Sequence, residues 1–150
     1  MELNNLFNDL KKQHELLQKF LDLISLQQNA IINSDIKALE ETLKIENTFF
    51  NEIEISQKLM IETIKNLSEK YSLNLKTNKL SNFLEALKDK NEVKIGGFFK
   101  LQASLKKLIS NINTVNNQNK MLISQARNFI KEIIGVFANS NKSSILDRKI

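Results

Sequence analysis

The sequence has no cysteine, no proline and no tryptophan, and it has only three glycines among 150 residues. Sheet-rich folds need many tight turns, and glycine and proline supply the φ angles that such turns require. The lack of cysteine excludes a disulfide scaffold, thiolate catalysis and cysteine-ligated zinc. No apolar run exceeds four residues, so we expect neither a membrane span nor a secretory signal, and a cytoplasmic location.

The net charge of +5 is unevenly distributed along the chain. Residues 1–75 carry 8 Lys and Arg against 12 Asp and Glu, whereas residues 76–150 carry 14 against 5. An acidic half and a basic half can neutralise each other when the chain folds back on itself. We therefore expect the cations of the last helix to face the acidic second helix, and no nucleic-acid partner.

Apolar residues recur in alternating steps of four and three, which is the spacing of a helical seam. The predicted helices span about residues 2–32, 36–71, 80–88 and 98–138. Helices this long need equally long partners to be stable in water. The pattern predicts an all-α antiparallel bundle of three long helices and one short helix with coiled-coil-like packing. We expect one domain over residues 1–138 and a flexible tail over residues 139–150.

Three segments interrupt the helical spacing. Residues 33–35 are Asn-Ser-Asp, which favour a turn and a helix N-cap, so the second helix is predicted to return along the first. Residues 72–79 lose the period and are predicted to form a loop. Residues 91–97 are a second predicted break, because Gly96 and Gly97 can adopt left-handed φ without penalty.

Two polar residues lie at seam positions and are candidates for chemistry. His14 is the only histidine and has no cysteine or second histidine with which to bind zinc, so we expect a partly buried structural residue. Glu46 lacks the partners of a di-iron bundle, so we expect it to set the helix register or pair with a cation. No phosphate-binding loop or catalytic signature occurs. We therefore expect that the protein is not an enzyme and that it binds neither a metal nor a cofactor.

The last helix has an apolar column beside its seam, with members spaced by seven: Ile109, Asn116, Ile123, Ile130 and Phe137. One neighbouring helix cannot cover a face this wide. The column either packs against the short third helix and a flank of the first, or stays open to receive an amphipathic helix from another protein. Asn116 and Asn119 either fix the helix register or hydrogen-bond to such a helix.

Three elements of the sequence occur in a distinctive order. Residues 39–53 combine spaced leucines with a glutamate and paired apolar residues, residues 116–123 read Asn-Asn-Gln-Asn-Lys-Met-Leu-Ile, and residues 143–149 end in Asp-Arg-Lys. In this order and spacing, the chain resembles the FlgN-type flagellar secretion chaperones, which serve type III export. The order of helices resembles that family over almost the whole length.

The resemblance implies a cytoplasmic chaperone that does not hydrolyse ATP. It would bind the C-terminal helices of hook-associated proteins of the FlgK and FlgL type, prevent their premature association and deliver them to the flagellar export apparatus. Client binding in the family lies toward the last helix and tail. The expected protein-binding residues are Asn116, Asn119, Leu122, Ile123, Phe129, Ile130, Ile133 and Phe137.

Two other functions stay open. A structural bundle could act as an adaptor or oligomerisation protein unrelated to export, and a helical nucleic-acid-binding protein would use the basic C-terminal half. From the sequence we expect the free protein to be either a monomer or a weak homo-oligomer.

Overall fold

The computed structural model describes residues 2–90 and 95–140, with side chains through residue 137. Within these ranges the chain forms helices and no strand: α1 (Glu2–Ile32), α2 (Ile36–Lys70), α3 (Leu80–Lys88) and α4 (Gly96–Ser140). The predicted bundle of three long helices and one short helix is confirmed. The predicted tail from residue 141 onward lies outside the described residues.

The turn between α1 and α2 forms at the predicted residues. The Asp35 carboxylate accepts a hydrogen bond from the Ala38 backbone N–H at 3.1 Å and so caps the start of α2. Ser34 adopts a φ of 55°, in the left-handed region that closes short connections. Local side-chain chemistry therefore reverses the chain here.

From this turn, α1 and α2 run antiparallel to the opposite end of the bundle. Gln27 Nε2 donates to Glu46 Oε2 at 2.9 Å near the turn, and Lys70 Nζ donates to Glu2 Oε2 at 2.9 Å at the far end. The hydrogen bond to Glu2 and the charge of that carboxylate raise the pKa of the Lys70 ammonium. Both side chains are more than half exposed, so the ion pair adds little and the pairing depends on apolar burial.

In contrast, α4 runs parallel to α1. The Phe7 and Phe98 rings meet edge-to-face with their centroids 5.1 Å apart where both helices begin. Further along, Gln28 Nε2 donates to Gln118 Oε1 at 3.1 Å. The two helices therefore keep one register over about 20 residues, which is roughly 30 Å of helix.

The central position in the bundle belongs to α1, which packs against both α2 and α4, whereas α2 and α4 do not approach each other within the described ranges. The expectation that the cations of α4 face the acidic α2 is therefore wrong. Among described residues, the ion pairs join Lys58 to Glu54 within α2 and Lys70 to Glu2. The physical reason is that α1 has apolar residues on two sides, and each side needs its own partner.

A larger apolar cluster lies at the end of the bundle where α1 begins. It draws on all four helices, with Leu10 from α1, Leu67 from α2, Phe83, Leu84 and Leu87 from α3, and Leu105 from α4. A smaller cluster of Phe20, Leu23 and Ile24 lies nearer the α1–α2 turn. The short α3 thus thickens the core at one end only, by packing against both α2 and α4.

The predicted break at the glycine pair is wrong in part. Gly96 and Gly97 form the first turn of α4, and neither has a positive φ. Ile95 is not helical and so agrees with the predicted break, and residues 91–94 lie outside the described residues. A Cβ atom at Gly97 would lie 3.5 Å from the Phe7 ring, which is an ordinary contact distance, so this position of α4 faces α1 and has room for a small side chain.

The difference between buried and exposed apolar residues gives a stability prediction for a matched pair of leucines. Leu84 on α3 is fully buried and Leu59 on α2 is 58% exposed. We expect Leu84→Ala to lower the free energy of unfolding by about 2–5 kcal/mol, because it leaves a cavity. Leu59→Ala should change it by less than about 1 kcal/mol. Urea unfolding followed by circular dichroism measures both, and equal losses would contradict this view of the core.

Candidate helix-binding surface

The register between α1 and α4 carries the end of α4 past the end of α1 in the part of the chain that the structure describes. Gln28 lies opposite Gln118, so the last residue of α1, Ile32, lies opposite about residue 122. Because α4 continues to Ser140, its last 18 residues extend past α1 by roughly 27 Å. We call residues 123–140 the overhang.

The side chains of the overhang are exposed and largely apolar. Every residue from Ser124 to Ile134 is exposed. The large apolar side chains that are 39–66% exposed are Phe129, Ile130, Ile133, Ile134, Val136 and Phe137. Contiguous apolar patches of this kind are rare on monomeric proteins and mark interaction sites.

The column beside the α4 seam is divided between its two predicted environments. Ile109 lies in a cleft with Leu80 and Ser81 of α3, although it stays 46% exposed. Ile130 and Phe137 lie on the overhang and are exposed. The lower part thus adjoins α3, and the side chains of the upper part are exposed.

The eight predicted binding residues fall into three environments. Phe129, Ile130, Ile133 and Phe137 are exposed on the overhang, Leu122 and Ile123 are half-buried at its base together with Asn116 below them, and Asn119 is buried. The structure thus places six of them on one continuous stretch of α4. It sets Asn119 inside the bundle.

A buried polar layer joins three helices just below the overhang. Asn119 is 2% exposed, and its Nδ2 donates to the Ile24 backbone carbonyl at 2.9 Å and to Gln27 Oε1 at 3.3 Å. Gln27 Nε2 in turn donates to Glu46 Oε2 at 2.9 Å. The Asn119 Oδ1 atom is buried without a hydrogen-bond partner. This layer fixes the height at which α4 lies against α1.

Two seam residues have the structural environment that we expected. His14 is half-buried. Glu46 is half-buried as well and accepts from the Gln27 amide, so its partner is an amide and not a cation. Across residues 2–90 and 95–140, no cluster of three or more His, Cys, Asp or Glu side chains could hold a metal ion.

Sequence reasoning missed an apolar surface on α2. Leu43 and Phe50 lie on the apolar seam of α2 by their spacing, yet they are 46% and 50% exposed. The Phe50 ring nevertheless lies 5.1 Å from the Phe20 ring, measured between ring centroids. Both residues are exposed because α4 does not reach across α1 to cover them. The signal was their spacing of seven, in line with Ile64, which is buried fourteen residues beyond Phe50 along α2.

An exposed apolar face on a helix is the kind of surface that amphipathic helices of other proteins recognise. Among the described helices, none has the length and hydropathy to cross a membrane. The family model described as FlgN protein matches residues 1–146, and the chain belongs to the FlgN family. Proteins of this family are flagellar export chaperones. No curated protein and no solved structure matches the chain.

The polar layer gives a prediction for Asn119. Asn119→Leu gives up the two hydrogen bonds of Nδ2 but replaces a polar seam residue, whose Oδ1 is buried without a partner, by an apolar one. Because a polar seam residue fixes register at a cost in stability, we expect the free energy of unfolding to rise by about 1 kcal/mol. The substitution also removes the group that fixes register, so the oligomeric state should change. Urea unfolding and sedimentation measure the two effects, with the exposed Asn117→Leu as control. Lost client binding with unchanged stability and oligomeric state would argue against register control.

Proposed function

We propose that the chain is a cytoplasmic chaperone that binds the C-terminal helices of hook-associated proteins of the FlgK and FlgL type. The observation that supports this most directly is the exposed apolar face of the overhang in a chain of the FlgN family. An amphipathic client helix would lie along that face. Its own apolar side, which otherwise drives premature association, would then be hidden from other axial proteins.

The client-binding residues that we propose are those of the overhang and its base. Phe129, Ile130, Ile133 and Phe137 would contact the client, and Leu122 and Ile123 would continue the surface to the bundle. Asn116, half-buried below Ile123, would meet the end of a client helix. Asn119 would act on the client by holding α4 in register, because its Nδ2 is already bonded to α1.

The expected affinity is modest, which suits a carrier that must release its client at the export apparatus. Burying on the order of 400 Å² of apolar surface contributes roughly 10 kcal/mol. Association itself costs about 4–15 kcal/mol. We further propose that the folded domain ends near residue 138 and that residues 139–150 order only with a client, which would cost more free energy. The role is binding and delivery without catalysis.

Single substitutions on the overhang test the proposed site. Ile130 is 55% exposed and Ile123 is half-buried at the base. Replacing either by aspartate puts a charge into the proposed contact, at a cost of about 1–3 kcal/mol. We expect Ile123→Asp and Ile130→Asp to weaken binding of a FlgK-type C-terminal peptide by about 10- to 100-fold in calorimetry.

The matched control is Ile55→Asp. Ile55 is 60% exposed on α2, in a cleft with Lys12 and Leu59 that α4 does not line. This variant should bind the client like the unaltered protein. Unchanged affinity of the Ile130→Asp protein, with its helical spectrum intact, would rule out the overhang as the client site.

A further inference from the structure

The space between α2 and α4 is filled along only part of its length. Near the end where α1 begins, α3 packs against both helices. The N-terminus of α3, Leu80, meets Met60 and Ile109 in a shallow cleft of about 210 Å³. Beyond Ile109 the groove continues toward the α1–α2 turn, and no described helix lies in it. Leu43 and Phe50 of α2 remain about half exposed along this open part.

The apolar column of α4 is symmetric about Ile123. Asn116 and Ile130 lie seven residues to either side, and Ile109 and Phe137 lie fourteen residues to either side. Two copies of α4 crossing antiparallel at Ile123 would therefore place each column residue opposite its counterpart. An interface around a two-fold axis needs this kind of self-complementary surface.

The lengths of groove and overhang also match. The open groove begins at Ile109, and residues 109–122 of α4 form its wall up to the level where α1 ends. The exposed segment 124–137 has the same number of residues, and each segment spans roughly 21 Å. An antiparallel pair centred on Ile123 thus sets one copy's exposed segment along the other copy's open groove.

We propose that the chain forms a homodimer in which two α4 helices cross antiparallel at Ile123 and each overhang fills the groove between α2 and α4 of the other copy. One chain cannot make this contact with itself. Its α4 is a single unbroken helix from Gly96 to Ser140, so the overhang points away from its own groove.

The apolar area available fits a stable dimer. The large side chains that are 39–66% exposed on each copy include Phe129, Ile130, Ile133, Ile134 and Val136 of the overhang, with Leu43, Phe50 and Ile109 of the groove. At roughly 80–100 Å² each, from side-chain areas of about 150–250 Å², they supply on the order of 700 Å² per copy. Standard stable interfaces bury about 800 Å² per partner.

The charges of the two surfaces are complementary. Residues 36–57 of α2, which flank the groove, carry 2 Lys against 5 Glu. Residues 123–137 carry Arg127 and Lys131 against Glu132. A weakly basic helix thus enters a groove with one acidic wall, and this favours the overhang as the occupant.

Such a dimer would cover the face that we propose for the client. A second copy and a client would then compete for the overhang, and the protein would hide its own apolar surface until a client arrives. This competition rests on the proposed function. The dimer itself does not, so it is tested on the protein alone.

The first test is sedimentation equilibrium of the full chain from 1 to 200 μM. The monomer mass is 17.3 kDa, and we expect the mass to double with concentration, with Ile130→Asp shifting the midpoint at least about tenfold upward. Ile55→Asp should leave it unchanged. A monomer throughout this range would overturn the proposal, whether a client helix or the chain's own tail covers the groove.

The second test uses the absence of cysteine from the chain. An Ile123→Cys protein should form an intermolecular disulfide readily, because the two copies of residue 123 meet at the axis and a disulfide needs Cα atoms within about 7 Å. Gln125→Cys, exposed and about 200° further around the helix, is the control and should not crosslink.

A mixture of two cysteine variants tests whether the two α4 helices cross in antiparallel or parallel direction. Asn116→Cys and Ile130→Cys proteins should crosslink to each other when mixed, and neither should crosslink to itself, because residues 116 and 130 are roughly 21 Å apart along α4. Self-crosslinking of Ile130→Cys without the mixed product would show a parallel pair and overturn the arrangement. Equal crosslinking of Ile123→Cys and Gln125→Cys would overturn it as well.

Discussion

The length of α1 is the constraint on which the rest of the structure depends. It is the one long helix of the described bundle that packs against both of the other long helices, so α2 and α4 are held together through it and, at one end, through the short α3. Its 31 residues therefore fix how much of either neighbour is covered. α2 runs back along α1 from the turn and stays within its length, whereas the 45-residue α4 starts at the same end as α1 and passes beyond it.

The two ends of the bundle differ because of this arrangement. At the end where α1 begins, α3 wedges between α2 and α4, and the core there contains the fully buried Phe83, Leu84 and Leu87. Toward the α1–α2 turn no fourth helix is present among the described residues, and the contact between helices relies on a thin apolar cluster and the Asn119–Gln27–Glu46 layer. A stable core at one end thus supports an open surface at the other.

The polar layer offers a reason for an asparagine at a seam position, which is that Asn119 can set the register of α4 against α1. A leucine would pack α4 against α1 at several heights differing by one heptad, since the seam on both sides repeats every seven residues. Backbone carbonyls are present all along α1, but the hydrogen bond from Asn119 to the Gln27 side chain is available at one height only. That height decides which residues of α4 extend past Ile32, so the layer defines the overhang.

Much of this fold was predictable from the sequence, and the reasons are local. The limits of α1, α2 and α3 follow from the seam spacing and from the N-cap at Asp35, which depend on neighbouring residues alone. The start of α4 was misplaced because glycines that permit a turn do not require one, and Gly96 and Gly97 are helical.

The pairing of helices was harder to predict. The charge of the two halves suggested that α2 and α4 would meet, but apolar burial on α1 outweighs exposed charge pairing. The sequence pattern also does not reveal that the end of α4 is exposed, because the seam spacing of α4 continues without change past the point where α1 stops. Leu108 and Phe129 occupy equivalent positions of the seven-residue repeat, and only the register of α4 against α1 separates the buried Leu108 from the exposed Phe129.

In the described part of the chain α4 is packed over its first half and exposed over its second half, and we propose that a helix from another molecule covers this second half. Hydrogen exchange along α4, measured by mass spectrometry on dilute protein, tests it most directly. We expect slow exchange over residues 98–119 and fast exchange over residues 124–137, with the second stretch slowed by a saturating FlgK-type C-terminal peptide. Uniform protection along α4 in the free dilute protein, or exchange over residues 124–137 that the peptide leaves unchanged, would contradict the account.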